Sequence, residues 1–405
     1  MKKEISIAFL GALVPDTKDY HNGAFRRSGI MVQAGIVNGL SKLNVRIKVY
    51  SLRPVPSYPK HNSIFWGRKK IFFEKKTDLI LVPFINLLIL KTFTAALYEF
   101  FALIGWAFQN IGRSRVILVY NTYTPPLPIL YIIGKITNTK VVAILYDLGM
   151  PPKQLKLNSL KLLIYKTVEF FAKYFIPKID GRIVINENIA KDYAPNKHYI
   201  LVDGGIGDDV LNRLFDIKVR SQRDVTKFLI AGSISPINGT RLIGETMKIN
   251  NNSKIKIIFA GNGRDEDYVE YLASTDKRVE YRGILNLDEL FKLYEEVDVL
   301  MNLRTTDEED KYLFPSKIIE YLTIGKYVIT TNVSHIKKEY GFLCNVLEKP
   351  DPIILSSAID KIQNLKYSEL VGNGIKSREF MIDTHTWEKQ AIKIHNYIKS
   401  NLFNE

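Results

Sequence analysis

Short apolar runs alternate with stretches of helical periodicity along most of the chain. In the first half, Ile5–Phe9, Val45–Ser51, Val116–Tyr120, Lys140–Tyr146, Gly181–Ile185 and His198–Val202 read as strands. Helices are predicted around Met31–Leu43, Leu127–Ile136 and Leu160–Tyr174. The second half repeats the grammar, with strands at Lys227–Ala231, Lys256–Ala260, Val279–Tyr281, Val297–Asn302 and Tyr327–Thr331 and a helix from about Thr240. Apolar strands bounded by turns and separated by helices predict parallel sheets, an α/β fold. The polar Asp203–Arg223 stretch has the Gly and Asp content of a linker, dividing residues 1–205 from 206–385. An amphipathic helix at about 386–405 follows the second sheet and is expected to pack back on the first domain. A length of 405 residues suits two domains, with ligands expected in a cleft at the carboxyl ends of the two sheets.

Charge is unevenly placed. The formal net charge is +15, yet residues 1–205 carry 29 Lys and Arg against 12 Asp and Glu, and residues 206–405 carry 28 against 30. The excess lies wholly in the first half and points to a polyanionic partner. No zinc finger or RNA-binding aromatic strand occurs in the sequence, so an anionic membrane is favoured over nucleic acid. The apolar stretch Leu79–Phe108 is interrupted by Pro83, Asn86, Lys91 and Glu99, too often for a spanning helix. It reads either as a core helix or as an interfacial one, with the basic residues around Arg68–Lys76 on lipid headgroups. The single cysteine, Cys344, excludes an intrachain disulfide framework and fits a reducing compartment. The amino terminus reads as a first strand rather than a signal peptide, and six scattered histidines show no metal-ligand spacing.

Residues 312–331 are the densest in chemistry. Pro315 suits a first helical position, Gly325 a helix stop, and Tyr327–Thr331 a strand. Ser316 and Glu320 share one helix face, while Ile318, Ile319 and Leu322 form the buried stripe. A helix amino terminus offers unpaired N–H groups to phosphate. Lys317 in the first turn opposes the macrodipole, which points to an anion nearby. Glu320 is placed to accept hydrogen bonds from ribose hydroxyls. A solvated helix face has the same pattern, so context decides.

That context is a resemblance. Asn302-Leu303-Arg304, the acids of 307–310 and Lys311–Tyr321, preceded by Phe259–Gly263 and Val279–Ile284, resemble in order and spacing the donor-site signature of retaining GT-B glycosyltransferases of group 1 (family 4). The resemblance is densest over about 228–347. It implies two Rossmann-like domains facing across a cleft, the first for the acceptor and the second for a nucleotide sugar. It places Gly261, Gly263, Phe314, Pro315, Ser316 and Lys317 at the donor, Glu320 on the ribose, and the backbone at Gly283–Ile284 near the nucleobase. By itself Gly261-x-Gly263 marks a tight turn. Two departures stand out. Relatives carry a second glutamate eight positions before Glu320, where this chain has Tyr312; Glu309 or Asp310 is the substitute. Relatives place Arg and Lys on the diphosphate where this chain has Ser233 and Asn238, beside Gly239. Arg304 and Lys317 are the candidate cations, Arg304 equally fitting a salt bridge to 307–310.

In the first domain Leu145–Pro151 resembles the acceptor-side loop. Asp147 there would receive the acceptor proton or stabilise an oxocarbenium-like transition state; a helix cap is the plainer reading. His21, Asn22 and Gly23 are expected to shape the acceptor pocket, with His21 an alternative base. The resemblance implies sugar transfer from a nucleoside diphosphate to an acceptor hydroxyl with retention, with no cofactor and no obligatory metal. The basic first half adds an expectation of peripheral attachment to the inner face of the plasma membrane, with a lipid-linked saccharide as acceptor in bacterial surface-polysaccharide synthesis. Two rival readings are a nucleotide-sugar epimerase of the same fold and a non-catalytic saccharide- or nucleic-acid-binding protein on a degenerate GT-B scaffold.

Overall fold

The computed structural model describes residues 3–21, 24, 27–73, 77–121, 126–146, 148, 159–214, 224–305 and 311–403. The chain divides into two compact units, Met1–Gly205 with Trp387–Glu405, and Ile206–Thr386.

In the first unit the strands are β1 (Ile5–Gly11), β2 (Val45–Ser51), β3 (Phe65–Trp66), β4 (Lys69–Phe73), β5 (Thr77–Leu81), β6 (Phe84–Ile85), β7 (Ser114–Tyr120), β8 (Lys140–Leu145), β9 (Gly181–Val184) and β10 (Ile200–Leu201). Its helices are α1 (Arg27–Ser41), α2 (Leu90–Gln109), α3 (Leu127–Thr137), α4 (Ser159–Phe175) and α5 (Glu187–Tyr193). The main sheet runs β10-β9-β8-β7-β1-β2-β5-β4. Its pairs are parallel except β4 on β5, and β3 pairs with β6 as a separate antiparallel ribbon. The strands nearest the middle of this sheet are buried over most of their length, which explains their apolar runs.

The second unit contains α6 (Asp208–Leu214), β11 (Thr226–Ala231), α7 (Thr240–Ile249), β12 (Ile255–Ala260), α8 (Glu266–Thr275), β13 (Val279–Tyr281), α9 (Leu287–Glu296), β14 (Val299–Asn302), α10 (Lys317–Ile324), β15 (Tyr327–Thr331), α11 (Ile336–Tyr340), β16 (Asn345–Leu347), α12 (Pro352–Gln363) and α13 (Tyr367–Thr384). Its parallel sheet runs β13-β12-β11-β14-β15-β16. The last helix, α14 (Trp387–Leu402), lies on α1. Gly35 of α1 makes this possible, since a Cβ there would sit 2.2 Å from the Trp387 ring. Tyr397 anchors the far end of α14, accepting from Arg182 N and donating to His198 O, both at 3.1 Å.

Three expectations change. Strands β3 and β4 are not shown by the apolar pattern, because β3 is two residues long and β4 is an edge strand with exposed Lys69 and Lys70 rather than a buried run. The core reading of the Leu79–Phe108 stretch holds only in part: β5 and β6 take its first portion, and the aromatic-rich helix that follows, α2, is two-sided. Ala95, Ala96, Glu99, Leu103 and Trp106 are buried, whereas Phe93, Leu97, Phe101 and Phe108 are exposed. Pro315 is not the first helical residue; α10 begins at Lys317 after Ser316, whose side chain makes no capping bond, and the Pro315 carbonyl accepts from Ile318 N at 3.0 Å. Among the described residues no helix is long and apolar enough to cross a membrane.

Candidate functional site

The strand order of the second sheet reverses between β11 and β14. Connections leave these neighbours in opposite directions, so a crevice opens at their carboxyl ends. The loop after β11 and the loop after β14 form its walls. Thr305 N donates to Ile237 O at 2.9 Å across them. Gly239 makes the approach close: its φ is +87°, and a Cβ would lie 2.6 Å from both Cβ and O of Leu303. Gly239 also caps α7.

The glycines at 261 and 263 act on the same loop from the other side. A Cβ on Gly261 would sit 1.8 Å from Gly232 O, and one on Gly263 2.1 Å from Ile234 O. The two loops run together through Gly232 N to Ala260 O and Ile234 N to Asn262 O, both 2.8 Å. This pair of glycines therefore serves backbone packing at the crevice rather than a simple turn. Gly261 N in turn donates to Gly283 O at 2.6 Å, which sets exposed Ile284 at the same end of the sheet.

Asn238 is turned inward to its own loop, its amide donating to Ser233 O at 2.8 Å and Ser235 Oγ at 3.0 Å. The Ser233 side chain is exposed. At the start of α7, Thr240 hydroxyl and the Arg241 guanidinium both bond the buried Asp265 carboxylate, the latter at 3.1 and 2.9 Å. Arg241 also lies 3.7 Å above the Tyr268 ring. Arg304 is held through its backbone, with N donating to Thr331 Oγ1 at 2.9 Å and O accepting from it at 2.7 Å.

Helix α10 is bolted to the end of β11. Ala231 N donates to Tyr321 OH at 2.9 Å, and that hydroxyl donates to Ala231 O at 3.1 Å. One residue earlier, Glu320 is partly exposed and collects three hydrogen bonds. Tyr294 of α9 donates to Oε1 at 2.6 Å, and Lys317 Nζ donates to Oε1 at 3.0 Å and Oε2 at 2.9 Å. The anion that Lys317 finds is thus Glu320 itself, one helical turn away. Burial above all, and then the Glu320 charge, push the Tyr294 hydroxyl well above the ordinary phenol range. It is therefore a fixed donor. Phe314 is buried, its ring stacked 4.7 Å from that of His335. Its side chain belongs to the core of this unit instead of facing a ligand, because the turn before α10 points it inward.

The structure so brings Ser233, Asn238, Gly239, Gly261, Gly263 and Arg304 to one end of one sheet, with α10 pinned beside them. His21 lies in the other unit, its Nε2 2.6 Å from Asp16 Oδ1, and Asp16 also pairs with Arg27. Asn22, Gly23, Asp147, Glu309 and Asp310 lie outside the described residues. Sequence reading missed Tyr294, Asp265 and Arg241. A usable signal for Tyr294 was the Asn286-x-x-Glu289 capping box, which is formed and starts α9; nothing local pairs Tyr294 with a carboxylate 26 positions on.

Residues 222–363 match the family described as Glycosyl transferases group 1. No curated protein matches the sequence. Among solved structures, a glycosyltransferase from Rickettsia africae ESF-5 is similar at 13% identity and TM-score 0.63, covering all of both chains. Anabaena Alr3699/HepE in complex with UDP gives 13% and 0.61, covering 99% of this chain and 100% of that one. A trehalose-6-phosphate synthase studied for glycosyltransfer with retention gives 10% and 0.61, covering 97% and 99%. The fold is GT-B. Within this GT-B chain, the second unit carries the group 1 glycosyltransferase match, and its crevice with Glu320 falls inside the matched residues.

Proposed function

We propose that this GT-B chain transfers a sugar from a nucleoside diphosphate to an acceptor hydroxyl with retention, the acceptor being a lipid-linked saccharide at the cytoplasmic face of an anionic membrane. Assembly of a bacterial surface polysaccharide is the setting that fits this acceptor. The observation that carries the donor half is the Glu320 carboxylate, held beside the β11–β14 crevice by Tyr294, Lys317 and the Tyr321 anchor. An ionised carboxylate offers about four acceptor positions. Tyr294 takes one and Lys317 two, so bidentate recognition of a ribose diol requires Lys317 to swing away. A diphosphate supplies the reason to swing, being a better partner for an ammonium than a carboxylate already bonded to a phenol. Nucleotide binding then exchanges the internal ion pair for one between Lys317 and the diphosphate, with ribose hydroxyls donating to Glu320.

The leaving diphosphate is stabilised in this reading by Lys317, Arg304 and helix amino termini, without an obligatory metal. Asp147, with Glu309 or Asp310, is the proposed set of carboxylates at the reacting centre. Anabaena Alr3699/HepE was solved with UDP-glucose, which makes uridine nucleotides the first donors to try. Thermal unfolding with a panel of nucleoside diphosphates and nucleotide sugars tests binding, since a ligand of the folded state raises the midpoint. The expected result is stabilisation by one base's diphosphate, weakened in Glu320→Ala. Unchanged nucleotide affinity in that variant removes Glu320 from the ribose. Conversion of donor to its epimer in the absence of acceptor assigns an epimerase instead.

A further inference from the structure

Helices α2, α3 and α4 connect strands that step in one direction across the first sheet, β5 to β7, β7 to β8 and β8 to β9. Right-handed crossovers therefore put all three on one face, while α1, which steps the other way, covers the opposite face with α14. Neighbours in this layer touch, α2 with α3 and α3 with α4. Helices α2 and α3 turn buried residues inward, Leu103 and Trp106 on the first and Leu130 and Ile133 on the second, and all three helices leave apolar side chains exposed. Phe93, Leu97 and Phe101 repeat at four-residue spacing on α2, and Phe93 and Phe101 are 63% and 65% exposed. Ile132 and Ile136 do the same on α3, and Phe170 and Tyr174 on α4. A contiguous exposed layer of this kind marks an interaction surface.

Its charge says with what. Helix α4 and the turn after it, residues 159–178, carry four lysines and a single acid, Glu169. Lys178 Nζ stands 3.2 Å over the Tyr174 ring, and Lys135 5.4 Å over Tyr131. Two copies of so basic a face repel one another, whereas aromatic rings interleaved with lysines suit the boundary between acyl chains and anionic headgroups. We infer that the outer face of the α2–α3–α4 layer is a docking surface for an anionic lipid bilayer. The face differs from the basic edge at Arg68–Lys70, where β4 is a sheet edge and Lys70 is paired with Asp78 at 2.8 Å. The inference deepens the membrane part of the proposed function and rests on it for the acceptor only.

Flotation of the full chain with phosphatidylglycerol-containing and pure phosphatidylcholine vesicles tests it. The wild type is expected to float with the first and not the second. The pairs Phe93→Ser with Phe101→Ser, and Lys135→Glu with Lys178→Glu, are each expected to lower the bound fraction about tenfold. Their thermal midpoints should stay near wild type, because all four side chains are exposed or at the rim. Absence of flotation with anionic vesicles, or retention in both paired variants, overturns the assignment. So does a concentration-dependent dimer that the phenylalanine pair abolishes, which would give the face to a second copy. Nucleotide-induced thermal stabilisation, measured on the same preparations, reads the donor site separately: it can fail while flotation succeeds, and the reverse.

Discussion

Tyr294 is fully buried, and its hydroxyl donates over 2.6 Å to Glu320, whose side chain remains 31% exposed. A group inside the unit thus orients a carboxylate at its surface. Removing the hydroxyl leaves Glu320 with Lys317 alone. Tyr294→Phe is expected to lose about 1.5–3 kcal/mol, the range for a hydrogen bond to a charged group. Nucleotide dissociation constants should rise severalfold in the same variant. Denaturant unfolding and calorimetric titration with UDP check the two effects. Lost stability with unchanged nucleotide affinity would limit Tyr294 to a structural role.

Lys317 should behave oppositely toward nucleoside and nucleotide. In Lys317→Ala the Glu320 oxygens are released, so uridine binding should hold or improve. UDP binding should weaken roughly tenfold, the loss of one charge-assisted contact. Titrations with uridine, UMP and UDP separate the cases. Equal weakening of all three removes Lys317 from the diphosphate.

The Gly263 position leaves no space for a methyl group, since Ile234 O would be 2.1 Å away and φ is +157°. Gly263→Ala is expected to cost roughly 2–4 kcal/mol through a forced loop shift. Thermal unfolding measures it. Gly372→Ala, where nothing lies within 4 Å, is the control and should be neutral or stabilising, because it sits inside α13.

Glu99 gives a pH dependence. It is buried on α2, with no hydrogen-bond partner at Oε2 among the described residues, and burial raises its pKa from 4.5 to about 8. The folded state therefore holds the proton more tightly than the unfolded one. The contribution is intact below 4.5 and falls by up to about 1.4 kcal/mol per pH unit as pH rises through the window to about 8. Glu99→Gln removes the titration. Chemical denaturation should find it more stable than wild type near pH ~9, with the gap closing toward pH ~5. A gap independent of pH would show that Glu99 is charged in the fold throughout.

Local rules carry far in this chain. The strands β2, β13 and β15 begin and end at the residues the sequence pattern sets; in β15 the cause is burial along nearly its whole length, which demands apolar residues throughout a parallel strand. Gly325 ends α10 in the left-handed conformation, as only a residue without Cβ does freely. The signature around Glu320 is legible for the same reason: its residues are close in sequence and share one helix and its flanks. The strands β3 and β4 escape notice because they are two and five residues long and largely exposed, so burial imposes little pattern on them.

Other features arise only from the tertiary fold. The partners of Glu320 and Tyr321 are Tyr294 and Ala231, 26 and 90 positions away. Gly261 and Gly263 read alike as a turn, and only the neighbouring loop shows that a methyl group has nowhere to go. The outward face of α2 is indistinguishable by composition from its inward face; strand order decides which side meets the sheet. Hydrophobic periodicity is a property of neighbours along the chain, and it specifies elements. Which elements touch is set by sheet order and crossover hand, and the site and the exposed apolar layer of α2, α3 and α4 are both products of that order.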